Sequence, residues 1–485
     1  MEQPQDQNEL FAIRRAKLDA IRELGIDPFG GRFDTSGSIE EIRARFAEGN
    51  TERAAGRLTA HRDMGRSHFL DLNDGGARIQ LFVSTKELPP EQLELFKLID
   101  LADFIGIEGE CFTTRTGEPS LRVKSLTLLS KALRPLPSSW YGLADVEQRY
   151  RQRYVDLLVN PGSRGAFMDR IRIVREIREF LHARGFLEVE TPMMQAVAGG
   201  AAALPFKTHH NALNLDLYLR IAPELYLKRL LVGGFTKIFE LNRNFRNEGI
   251  SRRHNPEFTM LEAYWAFADF DLMAGLVEEL ICHLAQSVRG SLFLEHKDAE
   301  GEVTRTIDLT RPWRRAPYRE LVREAAGHDW FDLTPDARRA RAAELGVEIA
   351  PAFADFEVIQ HVFEKLVEEK TFNPLFVTHC PAELVPLARQ SRNDPGTVDV
   401  YELIINGQEI SPGYSELNDP ILQRERLEHQ AGGEKQDIDE DFLTALEHGM
   451  PPAGGIGIGI DRLVMMLTGV DSVRDVIFFP HLKPK

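Results

Sequence analysis

Residues 235–267, FTKIFELNRNFRNEGISRRHNPEFTMLEAYWAF, alternate in hydropathy twice, with a basic, Asn-rich stretch between the two runs. That pattern predicts strand, polar loop, strand. Over 237–245 the spacing sets Phe239, Leu241 and Phe245 on one face. In the second run, a period of two puts Phe258, Met260, Glu262 and Tyr264 on one face and Thr259, Leu261, Ala263, Trp265 and Phe267 on the other. The second set is an ordinary core face. The first combines a ring, a carboxylate and a phenol, which is costly to bury unless a polar partner meets it. Two partners would serve: a structural arginine holding Glu262, or a bound ligand.

The 485 residues allow two or three domains with a sizeable core. A net charge of −16 argues against a non-specific nucleic-acid coat but leaves room for a local basic patch. Cys111, Cys282 and Cys380 are scattered without metal-binding spacing, and no long uncharged apolar run is present. The expectation is a soluble, cytoplasmic protein with no membrane segment and no structural zinc.

Helical spacing over 10–24 stops at Gly25, and Ser38 with Glu41 forms a capping box for a second short helix. Basic residues on the first helix are read as a solvated face. Between Ala55 and Leu129 come five short β-type runs with a helical stretch at 89–97, the order of an OB-like barrel. Arg62, Phe69, Gln80 and Glu118 offer there the guanidinium, ring, amide and carboxylate that stacking and edge-reading of unpaired bases require. The alternative puts Phe69 in the barrel core and leaves the rest as surface polar groups.

Pro135 and Pro137 mark a linker, followed by two helical stretches, the second at 168–184, and a strand at 186–192, FLEVETP. LYLRI at 217–221 runs into a helix from Pro223 to Gly233, with Glu224 in its first turn. Helices follow at 271–288, from the Thr334 N-cap to Gly346, and over 353–370. Asn406-Gly407 then predicts a tight hairpin that sets Ile404 opposite Glu409, so Glu402 and Glu409 share a face. Two such carboxylates repel unless a cation lies between them, which points to Mg²⁺; well-separated, solvated glutamates are the alternative. A bulge at Ser411-Pro412-Gly413 would turn Tyr414 and Glu416 to the same face. The tail, GGIGIGIDRLVMML, is a glycine-rich strand feeding a helix near Asp461, which sets Arg462 where phosphate is favoured.

FLEVETP, FRNEG…RHNPEFTMLE and GIGIGIDR resemble motifs 1, 2 and 3 of the class II aminoacyl-tRNA synthetases. RPLPSSWYGL, RYRQRYVDL, THHNAL, APELYLKRL and YSELND resemble segments of the bacterial-type lysyl-tRNA synthetases within that class, and the likeness covers nearly the whole chain. It implies an α+β fold: a helical extension at 1–54, an OB-fold anticodon-binding barrel at 55–134, a linker at 135–164, and a catalytic domain at 165–485. The catalytic domain would hold a six-stranded antiparallel sheet flanked by helices, with a helical insertion around 330–372. It also implies a homodimer through motif 1, with ATP, L-lysine and tRNA-Lys as partners and Mg²⁺ as cofactor.

By the same resemblance, Arg246 and Arg462 are the catalytic groups. Arg246 holds the lysine carboxylate and the α-phosphate; Arg462 covers the adenine and the γ-phosphate, with Gly459 beside it. Glu248 reads the adenine amino group, Phe258 stacks on the ring, and Arg253 and His254 approach the distal phosphates. Glu402 and Glu409 hold Mg²⁺. Glu224 and Glu416, with Tyr264 and Tyr414, surround the lysine side chain; Glu262 and the Gly200 backbone take its α-amino group. Arg62, Phe69, Gln80 and Glu118 match anticodon-reading positions. Two departures stand out: Leu204 replaces a basic residue, and Pro412 replaces an asparagine that helps hold the lysine carboxylate. Competing readings are a paralogue that delivers lysyl-adenylate to a protein and an RNA-binding regulator without catalysis.

Overall fold

The computed structural model describes residues 4–137, 143, 145–201, 203–298, 300–385, 387–428 and 438–484. Residues 138–142 and 144, within the expected linker, lie outside them. The chain divides into two compact units, Met1–Val146 and Glu147–Lys485.

In the first unit, α1 (Pro4–Glu23) gives way to Gly25 at φ 75°, the left-handed stop that glycine accommodates. The Ser38–Glu41 capping box opens α2 (Ile39–Ala44). Five strands, β1 (Thr51–Asp63), β2 (Ser67–Asn73), β3 (Arg78–Ser84), β4 (Phe104–Thr113) and β5 (Pro119–Ser130), close into a barrel in the order β1-β2-β3-β5-β4. Helix α3 (Pro90–Leu98) lies between β3 and β4 in the chain. Leu70, Leu72, Leu81 and Ile107 fill the barrel.

The second unit is built on β6 (Leu187–Glu188), β7 (Lys237–Phe245), β8 (Glu257–Ala266), β9 (Arg314–Pro317), β10 (Leu375–Thr378), β11 (Val400–Ile405), β12 (Gln408–Ser415) and β13 (Ala453–Gly459). They form one sheet in the order β9-β10-β11-β12-β13-β8-β7-β6. This corrects the expected strand number from six to eight. The run from β10 to β7 is the antiparallel six, and β9 and β6 add one parallel strand at each edge. β6 lies within the strand expected at 186–192 but keeps only two of its residues, and β9, four residues long, was not foreseen. Helices α4 (Pro161–His182), α5 (Glu224–Val232), α6 (Phe270–Leu284) and α7 (Ile460–Thr468) flank the sheet. Ile177, Val277, Leu280, Leu463 and Val464 bury one of its faces with Phe239, Leu261, Ala263, Ile456 and Ile458.

The β7–β8 hairpin pairs without a slip from Lys237 opposite Trp265 to Phe245 opposite Glu257. Leu261 and Ala263 are core, as the alternation requires. Phe267 is not: it lies beyond the strand end at φ 65° and is 75% exposed, because the chain turns away before the pleat can bury it. Asn406 and Gly407, at φ 57° and 69°, make the β11–β12 turn. Ile404 faces Glu409, but Leu403 faces Ser411, so the bulged residue is Ile410, just ahead of the expected tripeptide. The extra residue reverses the parity, and Glu409, Pro412 and Tyr414 all reach the face opposite the helical core.

Candidate active site

That open face carries a cavity of about 400 Å³. Phe258, Met260, Glu262 and Tyr264 of β8 all line it. Gly200 and Glu224 join at one end; Arg246, Glu248, Arg253 and His254 come from the β7–β8 loop. Glu409, Tyr414, Gly459 and Arg462 complete the expected residues on its wall. Glu402 and Glu416 are not on that wall.

One end is acidic. Glu224 opens α5, and Gly200 approaches it at φ 87°, where a Cβ would sit 3.2 Å from the Glu224 Cβ. Glu262 is buried and accepts a 3.1 Å hydrogen bond from the Tyr264 hydroxyl. Among the described residues no arginine forms an ion pair with it, so of its two possible partners the structural arginine is missing. Burial, then the Glu224 charge, push the Glu262 carboxyl up to about 8. Glu416 lies behind the wall, 2.5 Å from Lys228 Nζ, and Lys228 is 2.7 Å from Glu224 Oε1. Sequence reasoning missed Lys228, although a Glu and a Lys four apart on a helix are ready neighbours.

The glycines of β13 make room for these groups. A Cβ on Gly455 would lie 1.8 Å from Glu416 Oε1 and 2.8 Å from the Tyr264 ring; one on Gly457 would lie 2.6 Å from Met260 Cε. Met260, whose sulfur faces the Asn244 amide at 3.6 Å, thus lies over Gly457 as an apolar floor between Phe258 and Glu262.

The other end is cationic. The Arg246 amide donates to the Pro256 carbonyl (2.8 Å) and closes the loop. Its guanidinium lies 5.1 Å from the Phe258 ring centroid, and its buried Nε has no hydrogen-bond partner among the described residues. Arg462, in the first turn of α7, donates to the Glu409 carbonyl (3.1 Å) and meets His254 Nε2 at 3.2 Å. Burial, then Arg462, hold the His254 imidazole below its usual range, which favours the neutral ring able to accept that contact. Its neighbour Asp461 accepts from Arg170 of α4 (2.5 Å) and from the Thr259 amide (2.9 Å), pinning the helix start to β8. Arg253 reaches the Gly407 carbonyl (3.3 Å).

Glu402 is half-buried, and burial, then the charges of Glu409 and Glu368, push its carboxyl up to about 8. Glu368, another residue missed from sequence, accepts from the Glu409 amide (3.2 Å). Such clustered acids suit a cation. Among the described residues no three acidic, His or Cys side chains hold metal-binding geometry.

On the first unit, Arg62 and Phe69 are opposite each other on β1 and β2, and Gln80 on β3 faces Asp71. Asp71 accepts from Arg62 (3.2 Å) and Arg78 (2.8 Å); Arg78 also reaches Glu118 (3.0 Å), and Ser120 donates to Gln80 (3.0 Å). The four expected residues therefore share one outer face. Phe69 is half-buried against Phe82, centroids 5.3 Å apart, on the side away from the core residues Leu70 and Leu72. Asp71, Arg78 and Phe82 were not legible as part of this face.

A family model described as tRNA synthetases class II (D, K and N) matches residues 145–483, and an OB-fold nucleic acid binding domain model matches 53–129. The chain belongs to the class II tRNA synthetases. It is 50% identical over 487 residues to the lysine–tRNA ligase of Syntrophomonas wolfei, covering 99% of this chain and 98% of that one. The lysine–tRNA ligase of Carboxydothermus hydrogenoformans is 50% identical over 490 residues, covering 99% of each chain. That of Staphylococcus aureus is 44% identical, with 99% and 100% covered.

Within this synthetase the two departures fall differently. Leu204 acts through its main chain, its carbonyl accepting from the Asn247 amide (2.8 Å) while its side chain is exposed. Pro412 faces the cavity beside Glu409 and Tyr414 and offers no donor. No helix among the described residues is long and apolar enough to cross a membrane.

The Glu262 environment sets a pH dependence. The folded protein keeps that carboxyl protonated between its ordinary 4.5 and about 8, whereas the unfolded chain does not, so this group destabilises the ligand-free fold as pH rises through that window. An ammonium placed against Glu262, as the resemblance implies for the α-amino group, would need the ionised form and would expel the proton. KM for lysine is therefore expected to fall as pH rises towards 8, by up to about tenfold per unit, then level off. Pyrophosphate exchange across pH 6.5–8.5 checks this, and Glu262→Gln should remove the slope.

Proposed function

We propose that the protein is a lysine–tRNA ligase that activates L-lysine with ATP and transfers it to the 3′-terminal adenosine of tRNA-Lys. The observation carrying this is one cavity with a buried acidic end, at Glu224 and Glu262, and a cationic end, at Arg246 and Arg462. Glu224 on the wall, with Glu416 behind it, would repel an aspartate side chain and suit an ammonium, while Glu262 would take the α-amino group. In the first step the lysine carboxylate attacks the α-phosphate, an O–P bond forms and pyrophosphate leaves. A terminal ribose hydroxyl then takes the aminoacyl group and AMP departs.

No protein nucleophile is needed; the chain aligns the reactants and offsets charge. Arg246 holds the lysine carboxylate against the α-phosphate, with Phe258 and Arg462 on either side of the adenine and Glu248 at its amino group. Arg253 and His254 steady the distal phosphates. Glu402 and Glu409 would hold Mg²⁺, which supplies charge neutralisation on the phosphates. Charging of bulk tRNA with labelled lysine tests the reading. Absence of lysine-dependent exchange, or charging with aspartate or asparagine instead, would sink it.

The barrel face of Arg62, Phe69, Gln80 and Glu118 is assigned to the anticodon. Because it belongs to a separate unit, Phe69→Ala should raise KM for tRNA by roughly 5- to 150-fold, the worth of one stacked base, and leave exchange unchanged. A loss of exchange would overturn that division. Homodimerisation through motif 1 is supported by apolar side chains left exposed there, Met168 and Ile171 on α4 and Leu187, Met193 and Met194 nearby. Sedimentation as a monomer of 55.0 kDa would argue against it. A cytoplasmic location follows from the proposed role in translation, and fractionation tests it.

A further inference from the structure

The acidic end holds a cation of its own. Lys228 is completely buried one turn along α5 from Glu224, with Nζ 2.7 Å from Glu224 Oε1 and 2.5 Å from Glu416 Oε2. Burial pulls an ammonium towards neutrality, yet the charges of Glu224 and Glu416 more than offset it and keep Lys228 protonated. The two carboxylates are therefore not equivalent. Glu224 lines the cavity, while Glu416 is seated in the hollow left by Gly455, facing Lys228.

We propose that Lys228 is a specificity-determining positioning residue: by cancelling one of two carboxylates, it leaves the ammonium pocket a single negative charge, matched to one substrate ammonium. The inference rests on the lysine-ligase reading of the cavity. Without the internal cation, Glu224 and Glu416 would repel each other and draw in a proton or a second cation. With it, the pocket reaches neutrality when one ammonium binds, and Glu224 is held in place from behind. The titratable groups facing this cluster are Glu224 on its own helix, Tyr414 on β12 and Glu416 beyond it, and Glu262 and Tyr264 on β8.

The test is charge counting by exchange kinetics. Glu416→Gln leaves Lys228 to cancel Glu224, and KM for lysine should rise about 30-fold or more with little change for ATP. Adding Lys228→Met to Glu416→Gln restores one negative charge and should recover at least about tenfold of that loss. A double variant no better than Glu416→Gln would overturn the proposal, since a merely structural lysine cannot improve binding when removed. A second readout needs only the single variant. Discrimination between lysine and its neutral analogue 6-hydroxynorleucine, measured as KM against inhibition constant, should shrink at least about tenfold in Glu416→Gln. Unchanged discrimination would also overturn the proposal. Failure of the wild-type protein to show lysine-dependent exchange would instead refute the reading of the cavity, and the charge assignment with it.

Discussion

Arg246→Ala is expected to lower kcat/KM for lysine-dependent ATP–pyrophosphate exchange by about 10²–10³-fold, the usual loss of a preorganised charge donor. The guanidinium is buried beside Phe258, and its Nε has no hydrogen-bond partner among the described residues. A buried, unmatched donor is a cost to the folded state. Its removal should therefore leave the melting temperature unchanged or higher while activity collapses. Arg246→Lys should recover little, because a point charge cannot replace a planar fork spanning carboxylate and phosphate. Activity within tenfold of wild type, or a fall in melting temperature matching the loss, would count against the role.

Gly455→Ala is the second large effect. The added methyl would lie 1.8 Å from Glu416 Oε1, well inside contact, with the Tyr264 ring at 2.8 Å on another side. β13 is paired on both edges, to β12 and β8, so the backbone cannot retreat. The carboxylate must move, and it takes Lys228 and Glu224 with it. KM for lysine should rise by at least about 30-fold, while KM for ATP, on the proposed placement at the opposite end, changes little. Gly457→Ala offers the contrast: its methyl would meet only the flexible end of Met260, so a smaller and less selective effect is expected.

Much of this arrangement was legible in the residues themselves. Alternation placed Phe258, Met260, Glu262 and Tyr264 on one face of a strand, and the folded hairpin keeps them together on the cavity wall. Asn406-Gly407 fixed the register that brings Glu409 beside Glu402, because few residues accept two left-handed positions in succession. The failures have equally local causes. Phe267 obeys the alternation but lies beyond the end of the strand, where the pleat no longer governs it. Lys228 carried no assignment, because a lysine is rarely buried without partners and only the fold brings Glu416 to it. The need for the β13 glycines was not legible either: at Gly455 and Gly457 the space a side chain would take belongs to Glu416, Tyr264 and Met260.

Arg170 is not itself on the cavity wall, yet it clasps two residues that are, Thr259 and Asp461, the latter next to Arg462. Its neighbours Met168 and Ile171 lie exposed on the outer side of the same helix. α4 is thus a beam loaded on one side and bolted on the other. Any force that tilts it, from a partner, a crowding substitution or thermal motion, reaches the start of α7 and so Arg462, in part through this buried ion pair. Lengthening that pair by one methylene, as in Asp461→Glu, would displace the start of α7 and Arg462 with it.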